Sequence, residues 1–297
     1  MNKNKLITVV GTTASGKSSL GIDLALHYKS EIVSADSRQV YKHLDLGTGK
    51  VTAEEMALVP HHLIDILPLN APFSMAEFQT LAYEAIDGIS ARGMLPFMVG
   101  GTGLYTRSVV EGYTLVDVAP NEELRAELSL KSREELIEML RGYGMPEPTI
   151  ETSERRMIRM IEKCAAGISG EAESSPRYDV LQLGLTFDRE TLYRRIAERL
   201  ELRIAQGMIE EVEGVLRLGA TPEFLEKLGL EYRYTYRYLA GMYSSKQEYR
   251  DELYKEICHF AKRQGTWFKK EKNIVWLDSS GDYLSESVRL IDEFLNK

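Results

Sequence analysis

The chain has 297 residues, of which 43% are hydrophobic and 28% are charged, and this ordinary balance excludes a disordered or fibrous protein. Its two cysteines, Cys164 and Cys258, are too few for a disulfide scaffold or a cysteine zinc site, and they predict a reducing, cytoplasmic compartment. The net charge of −8 argues against a global basic surface for nucleic acid, and no apolar run approaches the roughly 20 residues of a membrane span.

Short apolar runs alternate with helical patterns in the first third of the chain. The predicted elements, in order, are a strand at 6–10, a helix at 18–28, a strand at 31–34, a helix at 74–92, a strand at 95–99 and a helix at 102–111. Alternation of this kind predicts an α/β fold, in which a parallel sheet carries helices on both faces.

The middle of the chain differs, because the pattern is wholly helical from about residue 121 to residue 166. The candidate helices are 121–130, 133–141 and 153–166. The small, polar segment 167–177 contains a proline and is predicted to be a loop. We therefore expect a helical insertion at 113–177, set into a core formed by residues 1–112 and 178–297.

The last third of the chain returns to mixed patterns. Its predicted elements are a strand at 180–187, long helical patterns over 188–272, a strand at 274–277 and a closing helix at 284–295. Four tyrosines alternate strictly within the helical part, namely Tyr232, Tyr234, Tyr236 and Tyr238. Alternation alone would suggest a strand, but the neighbouring residues favour a helix that begins near Glu231.

A glycine-rich loop follows the first predicted strand and precedes the first predicted helix. It fits the pattern G-x-x-x-x-G-K-[ST] and consists of Gly11, Thr12, Thr13, Ala14, Ser15, Gly16, Lys17 and Ser18. In such loops the backbone N–H groups point at phosphate oxygens, the lysine adds a point charge, and the serine hydroxyl can hold Mg²⁺. The context favours phosphate binding over a chance match to a structural turn. The pattern is typical of nucleotide-binding and ATP-binding proteins, and indicates a diphosphate or triphosphate without identifying the molecule.

Two further groups of residues stand at the ends of predicted strands. Asp36 follows the second strand, and Gly100, Gly101 and Thr102 follow the third. Because the carboxyl ends of parallel strands line the ligand crevice, we expect these residues near the phosphate loop. By position alone, Asp36 has two interpretations. It is either a general base or a carboxylate that supports a metal ion without binding it directly, or it is an aspartate that caps a helix or closes a turn. Thr102 either contacts a ligand or caps a helix.

Two basic stretches interrupt the acidic sequence. The first has Arg155, Arg156, Arg159 and Lys163 against Glu162, and the second has Lys262, Arg263, Lys269, Lys270 and Lys272 against Glu271. Such stretches can steer a polyanion to one face of a protein, although a solvated helix face is the usual role of a charge run.

The adjacent histidines His61 and His62 raise the question of a metal site. Neighbouring side chains on an extended chain face opposite ways, so the two rings are poorly placed to chelate one ion. We expect them to be structural or to form walls of the substrate site.

Several further motifs follow one another along the chain. Residues 36–41 read D-S-R-Q-V-Y, residues 45–50 read D-L-G-T-G-K, residues 60–65 read P-H-H-L-I-D, and residues 99–105 read V-G-G-T-G-L-Y. Later matches are Arg125, Arg156, Arg159, the run A-K-R-Q at 261–264 and the run T-W-F at 266–268. The series extends from Gly11 to Leu277, and it resembles the tRNA dimethylallyltransferases, or IPP transferase family.

The resemblance implies a P-loop kinase-like fold with a helical insertion, and a prenyl transfer reaction. A dimethylallyl group would pass from dimethylallyl diphosphate to N6 of the adenosine 3′ to the anticodon, position 37, in tRNAs reading codons that begin with U. The phosphate loop would hold the diphosphate leaving group, with Mg²⁺ at Ser18. By match to the family, Asp36 accepts the proton of the attacking amine, Thr102 holds the acceptor base, and Arg233 stabilises the diphosphate.

The resemblance also implies contacts with the tRNA anticodon stem-loop, whose adenosine would flip out of its stack into a channel. The implied contact residues are Asp36, Ser37, Arg38, Gln39, Thr102, Arg125, Arg155, Arg156, Arg159, Lys262 and Arg263. The expected form is a cytoplasmic monomer.

The sequence departs from the family pattern at four positions. Val51 stands where the family has proline, Glu231 where it has glycine, and Ile257 and Cys258 where it has threonine and arginine. The residues expected to handle the diphosphate are intact, so the departures bear on the acceptor.

Three alternatives stand beside the tRNA reaction. The first is an adenylate isopentenyltransferase, against which the helical insertion and its arginines favour a large polyanionic acceptor. The second is a P-loop small-molecule kinase, for which we identify no arginine-bearing lid and no adenine pocket. The third is a non-catalytic P-loop RNA-binding module, which the intact Lys17, Asp36 and Thr102 argue against.

Overall fold

A computed structural model describes residues 3–115, 120–168 and 174–297 of the chain. The chain divides into two compact units, one of Met1–Gly112 with Pro176–Lys297 and the other of Tyr113–Ser175. The elements in chain order are β1 (Lys5–Gly11), α1 (Lys17–His27), β2 (Ile32–Ser34), α2 (Ala53–Leu58), β3 (His61–His62), α3 (Met75–Ala91), β4 (Phe97–Gly100), α4 (Gly103–Val110), α5 (Glu122–Leu128), α6 (Arg133–Gly142), α7 (Glu154–Ala165), β5 (Asp179–Leu185), α8 (Arg189–Ala205), α9 (Met208–Arg217), α10 (Pro222–Leu228), α11 (Leu230–Leu239), α12 (Lys246–Lys269), β6 (Ile274–Trp276) and α13 (Tyr283–Leu295).

The first unit is built on a parallel sheet with the strand order β3-β2-β4-β1-β5-β6. β1 lies near the middle of the sheet, where Val9 is in register with Val99 of β4 and with Leu183 of β5. Nearly all of β1 is buried, as expected of a strand covered on both faces. The predicted α/β class is confirmed.

Alternate β1 side chains enter two different cores. Ile7 packs with Leu24 of α1 and Ile291 of α13 on one face of the sheet. Leu6 packs with Phe78 of α3 and Val109 of α4 on the other face. Because successive strand residues point to opposite faces, one short apolar strand supports both layers of helices.

Helices α8 to α12 extend the first unit beyond the sheet. Leu253 and Ile257 of α12 pack against Leu192 and Ile196 of α8 in one cluster. A neighbouring cluster joins α9, α10 and α11 around the fully buried Tyr232. Helix α12 also contacts α4 and β1, which brings it against the carboxyl edge of the sheet.

The second unit is a small bundle of α5, α6 and α7 with its own core. That core consists of Leu128, Leu136, Leu140, Met157 and Ile161. Each helix begins at an N-cap whose side chain accepts a backbone hydrogen bond, and the three caps are Asn121, Ser132 and Ser153 respectively. No helix in the described ranges is long and apolar enough to cross a membrane.

Two short elements of the fold were not predicted. The six-residue helix α2 follows a capping box in which the Thr52 hydroxyl accepts from the Glu55 backbone N–H. The two-residue strand β3 pairs His61 and His62 with β2. Segments this short carry too little periodicity to be recognised.

Two further predictions concern the tyrosine-rich run and the segment after α7. The run of alternating tyrosines forms α11, so the helix prediction there is confirmed. Of the predicted loop at 167–177, residues 169–173 lie outside the described residues.

Candidate active site

The phosphate loop joins the end of β1 to the start of α1. Gly16 has φ of 84°, in the left-handed region that favours glycine, and it immediately precedes the first turn of α1. At Gly11 a Cβ atom would lie 2.2 Å from the Leu185 carbonyl oxygen, so no side chain fits there. These two glycines let the loop bend tightly over the helix N-terminus, where an anion is favoured.

Lys17 is the first residue of α1, directly after the loop, and it is partly buried at the cavity. Burial, with the nearby Arg199 guanidinium, lowers the pKa of the Lys17 ammonium to about 8, and the Asp36 carboxylate opposes that shift. The Lys17 Nζ donates to the Thr12 carbonyl oxygen over 3.3 Å. Taking a charged amine out of water is unfavourable unless an anion is near, so a nearby anion would favour the charged form of Lys17.

One face of α8 supplies three arginines to the same region, because residues spaced by four lie on one side of a helix. Arg195 donates from Nε to the Ala14 carbonyl oxygen at 2.8 Å, and Arg199 donates to the Thr13 hydroxyl at 2.5 Å. Arg203 donates to Glu231. Burial and the charge of Arg203 lower the pKa of Arg199 to about 10. These three arginines were not predicted from the sequence.

Asp36 lies just beyond β2 in a turn of its own. Its Oδ1 accepts from the Arg38 backbone N–H at 2.8 Å, so Asp36 does serve as a turn aspartate. It also acts electrostatically on two cations of the cavity, since its charge opposes the lowering of the pKa of both Lys17 and Arg38 by burial. The turn role is therefore observed, and the carboxylate also lies close enough to act on both cations.

Thr102 lies beside this turn, after β4. It occupies the N-cap position of α4, yet its side chain makes no capping hydrogen bond with that helix. Instead its Oγ1 accepts from the Ser37 backbone N–H at 3.3 Å. A plain capping role therefore does not account for Thr102. Its hydroxyl is instead hydrogen-bonded to the turn that contains Asp36.

A cavity of about 640 Å³ opens onto these groups in the first unit. The predicted site residues that line it are Thr13, Lys17, Ser18, Asp36, Ser37, Arg38, Gln39, Thr102, Arg233 and Arg263. Further lining residues that were not among the predicted site residues include Arg199, Arg203, Glu231, Phe260, Gln264 and Trp267. The cavity therefore combines a cationic phosphate region with aromatic and aliphatic walls.

Other predicted residues lie outside the lining of this cavity. Gly11, Thr12, Ala14, Ser15 and Gly16 shape the phosphate loop without lining the cavity, and Lys262 is exposed on α12. Arg263 is exposed as well as lining the cavity, and its guanidinium lies 5.9 Å from the centre of the Phe260 ring. Arg233 donates from Nε to the Glu226 carbonyl oxygen at 2.6 Å, at the wall formed by α11.

The two histidines are not part of this cavity lining. The His62 Nε2 lies 2.6 Å from a Glu31 carboxylate oxygen, and the His61 Nδ1 lies 2.7 Å from the Val59 carbonyl oxygen. Among the residues that the structure describes, no three His, Cys, Asp or Glu side chains come together as a metal site. The structural interpretation of the histidines fits these contacts.

The predicted arginines of the second unit differ in their surroundings. Arg125 and Arg159 both donate at 3.0 Å to the carboxylate of Glu162, whose side chain is 1% exposed. Burial opposes ionisation of Glu162, but the Arg125 hydrogen bond, the Asn121 N–H and Arg159 outweigh it and hold its pKa below the usual range. Arg155 and Arg156 are exposed. Arg125 and Arg159 thus pair with a buried carboxylate of the bundle, whereas Arg155 and Arg156 face solvent.

Comparisons with known proteins identify two matching families and many similar chains. The family described as IPP transferase matches residues 39–271, and the family described as isopentenyl transferase matches residues 4–67. The chain is 46% identical to tRNA dimethylallyltransferase 2 of Treponema denticola over 92% of this chain and 94% of the relative. It is 42% identical to tRNA dimethylallyltransferase 2 of Shewanella sediminis over 98% and 99%.

A solved structure also resembles this chain closely. The full-length tRNA isopentenylpyrophosphate transferase of Bacillus halodurans superposes with a TM-score of 0.75 at 34% identity, covering 99% of this chain and 96% of that one. The similarity therefore extends over both units of the chain.

Proposed function

Since the chain belongs to the IPP transferase family, we propose that it transfers a dimethylallyl group from dimethylallyl diphosphate to N6 of adenosine 37 in tRNAs reading codons that begin with U. The observation that carries this proposal is the cavity that joins the phosphate loop to Asp36 and Thr102 and has apolar walls. An alkyl transfer needs all three: an anion site for the leaving group, a proton acceptor for the amine, and an apolar space for the prenyl chain.

The leaving group is proposed to lie on the phosphate loop. Negative charge builds on the diphosphate as the allylic C–O bond breaks, and fixed positive groups stabilise that charge most in a site shielded from water. Lys17 and Arg199 lie partly buried at the loop, and the loop N–H groups add their dipoles. Arg233, the residue expected from the resemblance, also lines the cavity and would act as a further cation.

Asp36 is the proposed proton acceptor. An exocyclic adenine amine is a weak nucleophile that becomes acidic as its new C–N bond forms, so a carboxylate nearby lowers the barrier. One Asp36 oxygen is held by the Arg38 N–H, which fixes the orientation of the carboxylate. Thr102, tied to the same turn, offers its hydroxyl to the adenine that enters the cavity.

The residues around the loop suit a bound Mg²⁺. Ser18 lies in the first turn of α1 and lines the cavity. Mg²⁺ prefers a few protein oxygens together with substrate phosphates and water, and a serine hydroxyl beside a diphosphate meets that preference. The ion supplies positive charge that helps to neutralise the leaving diphosphate.

The exposed cations are proposed to hold the tRNA anticodon stem-loop. Arg155 and Arg156 carry this role in the second unit, with Arg125 and Arg159 contributing through their partly exposed guanidinium groups. Lys262 and Arg263 serve next to the cavity, together with Ser37, Arg38 and Gln39 of the Asp36 loop. We propose that the enzyme is a cytoplasmic monomer. The curated relatives are named for tRNA, so neither the free-nucleotide acceptor nor the kinase is favoured.

One assay tests this function. The protein is incubated with Mg²⁺, dimethylallyl diphosphate and unmodified tRNA that reads codons beginning with U, and in parallel with AMP. After digestion, N6-dimethylallyladenosine is measured by mass. We expect product on tRNA alone, its loss in Lys17→Gln, and its retention in Lys246→Gln, a change at an exposed residue of α12. Product on AMP alone, or on neither acceptor, would refute the proposal.

A further inference from the structure

Gln264 of α12 lies between the two loops that form the reaction site. Its Oε1 accepts from the Thr13 backbone N–H at 2.8 Å, and its Nε2 donates to the Gly101 carbonyl oxygen at 2.9 Å. Thr13 belongs to the phosphate loop, and Gly101 immediately precedes Thr102. A single amide group therefore spans from the leaving-group side of the cavity to the acceptor side.

Other contacts of α12 hold the same stretch of chain from its far end. The ring of Trp267 fills the space over Gly103, where a Cβ atom would lie only 2.2 Å from the ring. At Gly101 a Cβ atom would lie 3.1 Å from the Gln264 Nε2 and 3.3 Å from the Lys17 Nζ. The residues on both sides of Thr102 are thus packed against α12, and Lys17 lies against one of them.

The contacts form a continuous series across the cavity. It runs from Thr13 through Gln264 to Gly101 and Thr102, and then from the Thr102 hydroxyl to the Ser37 N–H beside Asp36. The Thr13 side chain is held separately by Arg199, so Gln264 alone among these contacts connects the Thr13 backbone to the Thr102 loop.

We propose that Gln264 is a positioning residue, which sets the separation between the phosphate loop and the Asp36–Thr102 pair. This inference rests on the proposed function, because prenyl transfer needs the attacking nitrogen and the leaving oxygen on opposite sides of one carbon. A displacement of about 1 Å in such a geometry can cost roughly 10²-fold in rate. Glutamine suits the place because one side chain both accepts and donates.

Two substitutions of Gln264 test its two hydrogen bonds, to the Thr13 N–H and to the Gly101 carbonyl oxygen. Gln264→Leu keeps most of the volume but removes both hydrogen bonds. Gln264→Glu keeps an acceptor for the Thr13 N–H, yet an ionised carboxylate cannot donate to the Gly101 carbonyl oxygen. The matched control is Gln247→Leu, on the same helix, where the exposed Gln247 side chain donates to the Asp251 carboxylate at 2.8 Å.

The experiment measures steady-state rates, tRNA binding and thermal unfolding for each protein. We expect kcat to fall by roughly 10- to 100-fold in both Gln264 variants. In Gln264→Leu the KM for dimethylallyl diphosphate, the Kd for tRNA and the Tm should stay close to those of the wild type, and Gln247→Leu should match the wild type throughout. In Gln264→Glu the KM should also rise, because the new carboxylate lies at the Thr13 N–H and repels the diphosphate. A purely structural role would instead lower Tm, and a direct ligand contact would raise KM or Kd in Gln264→Leu.

The outcomes distinguish this inference from the function on which it rests. If the wild type modifies tRNA and both Gln264 variants keep its kcat, or lose activity only through KM or Tm, Gln264 does not position the two loops. If the wild type modifies no tRNA, the proposed function fails, and the positioning role fails with it.

Discussion

Arg203 and Glu231 form an ion pair at the cavity wall, with 3.4 Å between Nη1 and Oε1 and with side chains that are 12% and 18% exposed. Glu231 stands at one of the positions where the sequence departs from the expected pattern, and it places a carboxylate beside the cations Arg199 and Arg203. The charge of Glu231 opposes the lowering of the pKa of Arg199. The Arg203 guanidinium also covers Gly49, where a Cβ atom would lie 1.8 Å from its Nη2. The pair therefore neutralises one charge and closes the wall beside the 47–49 loop.

Removing one partner of this pair should destabilise the protein. We expect Glu231→Gln to lower the free energy of unfolding by about 1–2 kcal/mol, because it leaves Arg203 unpaired beside two other cations. Adding Arg203→Met should restore part of that stability, which a double-mutant cycle measured by urea unfolding detects. The control cycle uses Arg194 and Glu198 of α8, a pair that is 66% and 62% exposed and should couple only weakly. Equal coupling in the two cycles would contradict the assigned role.

Much of the fold follows from local sequence signals. Lys17 and Ser18 belong to one contiguous motif, so the phosphate loop could be recognised without any tertiary information. Strand β1 is a short apolar run next to that motif, and its burial on both faces was predictable. Helix α2 and strand β3 escaped prediction because each has too few residues to show a period.

The missed site residues lie far from the phosphate loop along the chain. Arg199 is separated from Thr13 by 186 positions, and only the packing of α8 brings the two together. The spacing of Arg195, Arg199 and Arg203 by four residues indicates a common helix face, but not what that face meets. In the same way, the sequence shows Arg125 and Arg159 as charges, whereas the buried Glu162 that both contact is a property of the folded bundle.

Asp36 can be tested by a substitution that preserves its turn. Asp36→Asn keeps an oxygen that accepts from the Arg38 N–H, so the loop should stay in place, but the amide cannot take the proton of the attacking amine. We expect the single-turnover rate to fall by roughly 10² or more, with tRNA affinity nearly unchanged. Asp87→Asn on α3, away from the cavity lining, serves as the control. A variant that turns over as fast as the wild type would remove Asp36 from the role of base.

The lowered pKa of Lys17 predicts how diphosphate binding depends on pH. Below a pKa of about 8 the free protein carries the ammonium form, which attracts the anion, and above it the amine is neutral. Affinity for inorganic diphosphate should therefore fall as pH rises through about 8, by up to roughly tenfold per pH unit. Bound anion favours the ammonium, so binding above that pH should take up a proton.

Calorimetry of the wild type and Lys17→Met between pH 7 and 9 measures this effect. The ligand titrates identically in both experiments, so the difference between the two proteins isolates the lysine. Arg199, Arg203 and Asp36, which also face Lys17, are common to both proteins. Parallel pH profiles for the two proteins would show that Lys17 does not titrate in this range.

The arginines of the second unit should separate into two classes. Replacing the exposed Arg155 and Arg156 together by alanine should weaken tRNA binding, with no change in Tm. The slope of log K against log salt should become shallower by roughly 0.7–0.9 for each phosphate that the variant no longer neutralises. Arg159→Ala should also lower Tm, because Glu162 keeps a buried carboxylate with one guanidinium fewer.

Filter binding at several salt concentrations and thermal unfolding check the two classes. The control is Arg289→Ala, which removes an exposed cation of α13 in the other unit and should change neither tRNA affinity nor the salt slope. If Arg159→Ala keeps the wild-type Tm, the Glu162 contacts do not stabilise the bundle. If the double variant binds tRNA as tightly as the wild type at every salt concentration, this face of α7 does not hold the acceptor, and the tRNA contacts must come from the exposed cations near the cavity.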